Sequence, residues 1–296
     1  MEYLFSNENS IFKQVQKQKT LPIILVLLIP IFIEVISEFL SIVIAHKFIL
    51  GKFILADINP IYLLISRVIV IGLYIILVLF IEKRKIQEIG FKINKGFFNR
   101  YLFGILIGLL MMSVITVIIV MSGNAQIYKG KLSSKLIPSF IILIFAWLIQ
   151  GASEEVMMRG YMMPVIGKKY NVLIAIIITS CYFAFLHLAN NGIDRLSIIN
   201  LILFGIFAAF YTIYTEDIWG ICAIHSAWNM AQGNLYGFLV SGNPIMVGSI
   251  FNTLSNTKNI INGAAFGPEG GLVVTIVLII SILIVTFLAK KKHKTI

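Results

Sequence analysis

Phe140-Ile-Ile-Leu-Ile-Phe-Ala-Trp-Leu-Ile-Gln-Gly-Ala-Ser-Glu-Glu-Val-Met-Met-Arg159 is the stretch whose reading decides the fold. Residues 136–153 carry no charged side chain, and Glu154, Glu155 and Arg159 then follow within six positions. A run of that length and apolarity reads as a membrane-crossing helix. An ionised group there is unfavourable by at least ~2.5 kcal/mol unless it is paired. Three such groups together need a reason.

The rest of the chain has the same character. Hydrophobic residues make up 59% of 296 positions and charged residues 12%, with a mean hydropathy of +0.95. A soluble domain carries roughly 25% charged residues, so much of this surface faces lipid. Eight apolar runs read as spans, at about 21–45, 61–81, 101–122, 136–163, 172–188, 197–215, 218–240 and 271–289. Two-residue alternation is absent, which excludes an outer-membrane barrel. The expected fold is all-α, a polytopic membrane protein of about eight transmembrane helices with a buried polar site between helices 4, 5 and 7.

Residues 1–20 read as a polar cytoplasmic segment, 21–289 as one helical transmembrane domain with a motif core at 136–240, and 290–296 as a basic tail. The first span holds Glu34 and Glu38, and no small-residue cleavage site follows a short apolar core. It reads as an uncleaved helix and not as a signal peptide.

The net charge of +11 follows the loops. Sixteen of the 24 basic residues fall on one side: Lys13, Lys17 and Lys19, six between 83 and 100, Arg159, Lys168 and Lys169, and four in the tail. Seven fall on the other side (Lys47, Lys52, Lys129, Lys131, Lys135, Arg195 and Lys258), and Arg67 lies inside the second span. The positive-inside rule then puts both termini in the cytoplasm of a multi-pass cell-membrane protein. The lysines have anionic headgroups as partners, and the spans exclude a nucleic-acid binder and a soluble enzyme. Cys181 and Cys222 fall inside helices and read as small apolar fillers. The basic connector 82–100, with Ile86, Ile89, Phe91, Phe97 and Phe98, reads as an amphipathic segment along the interface. The Gly, Asn and Ser-rich stretch 241–270 reads as a loop outside the membrane.

Ionisable residues inside the bilayer are functional candidates by default. Glu154, Glu155 and Arg159 lie on the fourth span, His187 ends Phe183-Ala-Phe-Leu-His187 on the fifth, and His225-Ser-Ala-Trp-Asn229 lies on the seventh. Glu155 and Arg159 are four apart and can form an ion pair, which is also the purely structural reading of both. Glu154 points about 100° away, toward a different neighbour. A carboxylate and a histidine could deprotonate a water, while a second histidine and an Asn amide stabilise the oxyanion. Counted from the expected cytoplasmic helix ends at 1.5 Å per residue, Glu154 lies ~13 Å deep, His187 ~22 Å, His225 ~10 Å and Asn229 ~16 Å. One pocket on the cytoplasmic half is the expectation, with His187 the outlier.

Glu-Glu-x-x-x-Arg, Phe-x-x-x-His and His-x-x-x-Asn, in that order over 154–229, resemble the motifs of the CPBP family. That family includes the CAAX prenyl endopeptidases and bacterial relatives linked to bacteriocin processing and immunity. Ile89-Gly-Phe91 and Phe266-Gly-Pro-Glu-Gly-Gly271 look like features of its bacterial members. The resemblance implies an intramembrane endopeptidase in which Glu154 and His187 activate water, His225 and Asn229 bind the oxyanion, and Glu155 with Arg159 supports Glu154. A metal-free mechanism is the expectation. Zinc held by Glu154, His187 and His225 is the rival, although no His-Glu-x-x-His helix is present.

Two other classes compete. A CPBP-fold immunity or regulatory protein could bind without turnover, and a proton-coupled transporter could use the same residues as a relay. The missing internal repeats and matched broken helices argue against the transporter. The Ile, Lys and Asn-rich composition is that of a low-GC bacterium, where prenylated CAAX proteins are not expected. The expected substrate is therefore a membrane-associated peptide or protein, such as a signalling peptide or bacteriocin leader. Outside the motifs, Glu34 and Glu38 share a helical face at a depth similar to Arg67, so an ion pair clamping the first two spans is expected. The other reading places the spare carboxylate at the substrate entrance.

Overall fold

The computed structural model describes residues 5–6, 8–49, 55–130, 134–255 and 259–294. Lys52, Lys131 and Lys258, from the expected outer side, lie outside the described residues.

Every apolar run becomes a helix. After the short α1 (Ser10–Gln16) come α2 (Ile23–Ile44), α3 (Leu55–Ile76), α4 (Phe97–Met121) and α5 (Ile137–Glu155). They are followed by α6 (Met163–Lys169), α7 (Val172–Leu186), α8 (Arg195–Thr215), α9 (Trp219–Met230) and α10 (Leu272–Lys294). Wide-turn π segments extend α2, α3 and α9, and one at Val156–Met162 joins α5 to α6 as a continuous rod. Side-chain caps start several helices: Asn171 accepts from Ile174 N at 2.8 Å and Asp194 from Ser197 N at 2.8 Å. Phe32, Phe39, Phe80, Leu110, Met121 and Phe287 are exposed, as a lipid-facing surface requires.

Six helices among the described residues are long and apolar enough to cross a membrane: Ile23–Lys47, Asn59–Ile81, Phe97–Met121, Ser134–Lys169, Arg195–Thr215 and Leu272–Lys292. The expected count of eight is not reached. Helices α7 and α9 have 15 and 12 residues, so they extend ~22 and ~18 Å against a hydrocarbon core of ~30 Å. Gly220–Asn229 of α9 is buried throughout, so protein and not lipid sets its length.

Helix α9 sits at the centre, packed against both α4 and α5. Glycines permit that approach. A Cβ on Gly104 or Gly108 of α4 would lie 2.4 Å from the carbonyl of Gly220 or Ile224, and one on Gly151 of α5 would lie 2.5 Å from Ser226 N. Around this centre α3 packs on α5, α7 on α8, and α8 on α10.

One end of the bundle gathers most of the expected basic side. Lys92 donates to Ser10 Oγ (2.7 Å) and to the Glu216 carbonyl (2.9 Å), Gln14 to the Glu88 carbonyl (3.0 Å), Lys168 to the Gln18 carbonyl, and Lys292 to Glu216 (3.1 Å). The N-terminal segment is docked there: Ile11, Phe12 and Val15 of α1 are buried, and Phe12 lies under Gly167. The connector 82–96 does not form one amphipathic helix. It folds back through a buried Glu82–Arg84 pair (2.6 Å), with Arg84 also bonded to Glu88. Ile89 is buried and Phe91 packs at a tilt against Trp219, while Phe98 remains exposed on α4. At the other end, β1 (Ala125–Lys129) pairs antiparallel with β2 (Phe251–Ser255), Ile127 opposite Thr253.

Candidate active site

Glu154 and Glu155 close α5 immediately before the π segment Val156–Met162. Such wide turns recur at functional sites because they shift the helix face that follows. Here the two carboxylates diverge. Glu155, fully buried, takes the Nδ1–H of His225 at 2.8 Å and pairs with Arg159 at 3.2 Å. Arg159 is also fully buried, donates to the Gly205 carbonyl at 3.0 Å, and lies over the Phe183 ring. The expected Glu155–Arg159 pair is present, and its onward hydrogen bond runs to His225.

Glu154 turns toward a cavity of about 510 Å³ lined also by His187, His225, Asn229 and Gln150. Gln150, one turn before Glu154, donates to its Oε1 and accepts from Asn229 Nδ2 at 2.8 Å. Glu154 Oε2 faces His225 Nε2 across 3.6 Å, too long for a direct hydrogen bond. All four expected site residues therefore line one chamber.

The ring nitrogens are set by their partners. His187 follows the last residue of α7, and its Nδ1 lies 2.8 Å from the Phe183 carbonyl. A carbonyl only accepts, so Nδ1 carries a proton, and Nε2 is the nitrogen left to the chamber. Phe204 packs edge-on against His225 and stacks on Phe183, so an aromatic wall holds the imidazole.

Glu154 and His225 lie deeper from the basic end than the depth count had them. The chamber lining includes Asn190 and the 240–246 turn, and Asn190 donates to the Ser241 carbonyl at 2.9 Å. Two physical reasons account for the difference. The helix carrying Glu154 continues to Lys169, which puts Glu154 ~22 Å from its basic end, level with the ~22 Å of His187. Helix α9 starts below the surface, since Asp217 and Ile218 are buried and Ile218 N bonds to the Gly90 carbonyl at 3.2 Å.

Sequence reasoning missed two polar residues here. Gln150 was detectable as an amide in an apolar run, four residues before Glu154. Glu269 lines the cavity from the Gly-rich loop and accepts from Ser241 N (2.6 Å), Ser241 Oγ (2.9 Å) and Gln232 Nε2 (3.0 Å). Its signal was a lone acid in a stretch otherwise uncharged after residue 258. Arg67 clamps the first two spans, as expected, but with both carboxylates: Nη1 lies 3.0 and 2.9 Å from the two oxygens of Glu34, and Nη2 2.9 Å from Glu38. Glu34 and Arg67 also line the chamber. Among the described residues no group of three His, Cys, Asp or Glu side chains is placed to hold a metal ion.

Helices of spanning length around a chamber of carboxylate, imidazole and amide groups define a helical membrane protein with a polar site among its helices, the class to which intramembrane endopeptidases belong. Within it, residues 136–231, about a third of the chain, match the family model for the type II CAAX prenyl endopeptidase, Rce1-like. The matched stretch contains Glu154, Glu155, Arg159, His187, His225 and Asn229. Comparison with curated proteins and with solved structures gives no match in either case.

Proposed function

We propose that this protein hydrolyses a peptide bond of a membrane-associated peptide or protein, using a water activated by Glu154. The observation that carries the reading is the convergence of Glu154, His187, His225 and Asn229 on one chamber inside the family-matched stretch. Glu154 takes the proton of a water that His187 Nε2 helps to orient, and the oxygen attacks the scissile carbonyl. Negative charge develops on the carbonyl oxygen. His225, doubly protonated with Nδ1–H on Glu155, donates Nε2–H to that oxygen, and Asn229 offers the second proton of its Nδ2. Charge balance favours this state, since Glu154 and Glu155 stand against Arg159 and the imidazolium. Glu154 then returns its proton to the leaving amine as the C–N bond breaks. Both termini lie on the cytoplasmic side in this reading.

The test compares peptide products formed by purified wild type and Glu154→Gln in the same detergent or liposomes. The variant keeps the shape and loses the base, so product formation should fall by about 10²–10⁴ with folding intact. An undiminished rate removes Glu154 from its role. A folded wild type that cleaves nothing from a membrane peptidome favours binding without turnover.

A further inference from the structure

Helices α4, α8 and α10 enclose a second cavity, of about 820 Å³, that shares no lining residue with the chamber of Glu154. Phe103, Ile107 and Leu110 recur on one face of α4, and Ile284 and Leu288 on one face of α10. From Arg100 to Met111, and again from Ser281 to Lys292, the groove runs ~16 Å. Its walls open onto the lipid-facing surface, with Phe103, Leu110 and Ile284 each more than half exposed. Size and shape suit an extended acyl chain, within the roughly 300–1,000 Å³ usual for small-molecule sites.

The polar groups gather at one end, and that end is positive. Arg100 uses Nε on Asp217 and Nη2 on Asn94, while Lys292 donates to Glu216 Oε1 and the Tyr214 carbonyl, each at 3.1 Å. Lys92 joins them through the Glu216 carbonyl. Three cations thus stand against two acids, with Lys290 and Lys291 nearby on α10. The first turn of α4 contains no acidic residue and has no side-chain cap, so its amides and helix dipole add positive potential at the same place. A negatively charged headgroup fits there, and a zwitterionic one would bring a further cation to a cationic end.

We infer that this groove binds an anionic phospholipid from the leaflet on the basic side of the protein. One acyl chain lies along α4 and α10, and the phosphate sits between Arg100, Lys292 and the first turn of α4. The inference is independent of the peptidase reading.

Thermal unfolding of the purified full-length protein in detergent tests it, with phosphatidylglycerol, phosphatidylcholine or inorganic phosphate added. Phosphatidylglycerol at about 100 times its Kd should raise Tm by several degrees, and the other two should not. Lys292→Gln should lose most of that rise, whereas Lys13→Gln, an exposed lysine on the same end, should keep it. Leu110→Trp alters no charge and fills the chain channel, so it should also lose the rise. Equal shifts with phosphatidylcholine, or a rise reproduced by phosphate alone, would overturn the site. So would a full rise retained in both Lys292→Gln and Leu110→Trp.

Discussion

Replacing Arg67 by alanine should destabilise the protein more than replacing either carboxylate that it holds. Arg67 joins α3 to α2 through three hydrogen bonds, two to Glu34 and one to Glu38. Breaking a buried pair costs about 3–5 kcal/mol and an exposed one about 0–1 kcal/mol. The Arg67 side chain keeps 13% exposure and Glu34 25%, so their bond lies between these limits. Glu38 keeps 41%, and its share is discounted for screening. Arg67→Ala also leaves two like charges one helical turn apart, for a total of about 2–4 kcal/mol. Glu34→Ala leaves Arg67 with Glu38 and should cost about 1–2 kcal/mol, and Glu38→Ala less than about 1 kcal/mol. The Arg67→Ala/Glu34→Ala double variant should be less damaged than the sum, by about 1 kcal/mol. At roughly 2–4 °C per kcal/mol, Arg67→Ala should melt about 4–16 °C below wild type. The assay is unfolding followed by tryptophan fluorescence, in one detergent and at one heating rate because membrane proteins unfold irreversibly. A melting point within about 1 °C of wild type, or strict additivity in the double variant, would refute the clamp.

His187→Ala and His225→Ala should each reduce peptide cleavage by about 10²–10⁴, the usual loss of a general base or an oxyanion donor; single-turnover rates on a cleaved peptide check this. Chelators should leave activity unchanged and elemental analysis should find no stoichiometric metal; zinc that restores lost activity would replace the carboxylate mechanism with a metal one. Cysteines introduced at Lys85 and Lys292 should both be shielded from impermeant thiol reagents in intact cells, and labelling at both would invert the orientation.

The helices were legible because an apolar run in lipid has one backbone solution, and the structure adds few surprises to their positions. Their crossing of the membrane was less legible. Composition alone cannot distinguish α9, clad in protein, from a helix clad in lipid, and six helices of spanning length among the described residues stand against the eight expected runs. The candidate residues could be named because Glu154, His187, His225 and Asn229 are polar where polarity is unfavourable, and the structure brings the four to one chamber. Their depth could not be read correctly, since it depends on a helix continuing through a π turn to Lys169 and on α9 starting below the surface. Gln150 and Glu269 went unseen for a different reason. Each was visible as a polar outlier, but its place in the chamber depends on Asn229 or Gln232, 79 and 37 residues away.

The burial of α9 has a consequence for how the protein is made. A helix leaving the insertion machinery is sorted by its own affinity for lipid. Helix α9 brings little, because it is short, bears His225 and Asn229, and presents glycine-shaped contacts to α4 and α5 where lipid chains would otherwise lie. Its stable place exists only after those neighbours have assembled. His225 and Asn229 therefore reach Glu154 only when α9 locks against α4 and α5. A half-built copy carries Glu154 and His187 without His225 and Asn229, so the four groups meet only in the finished fold.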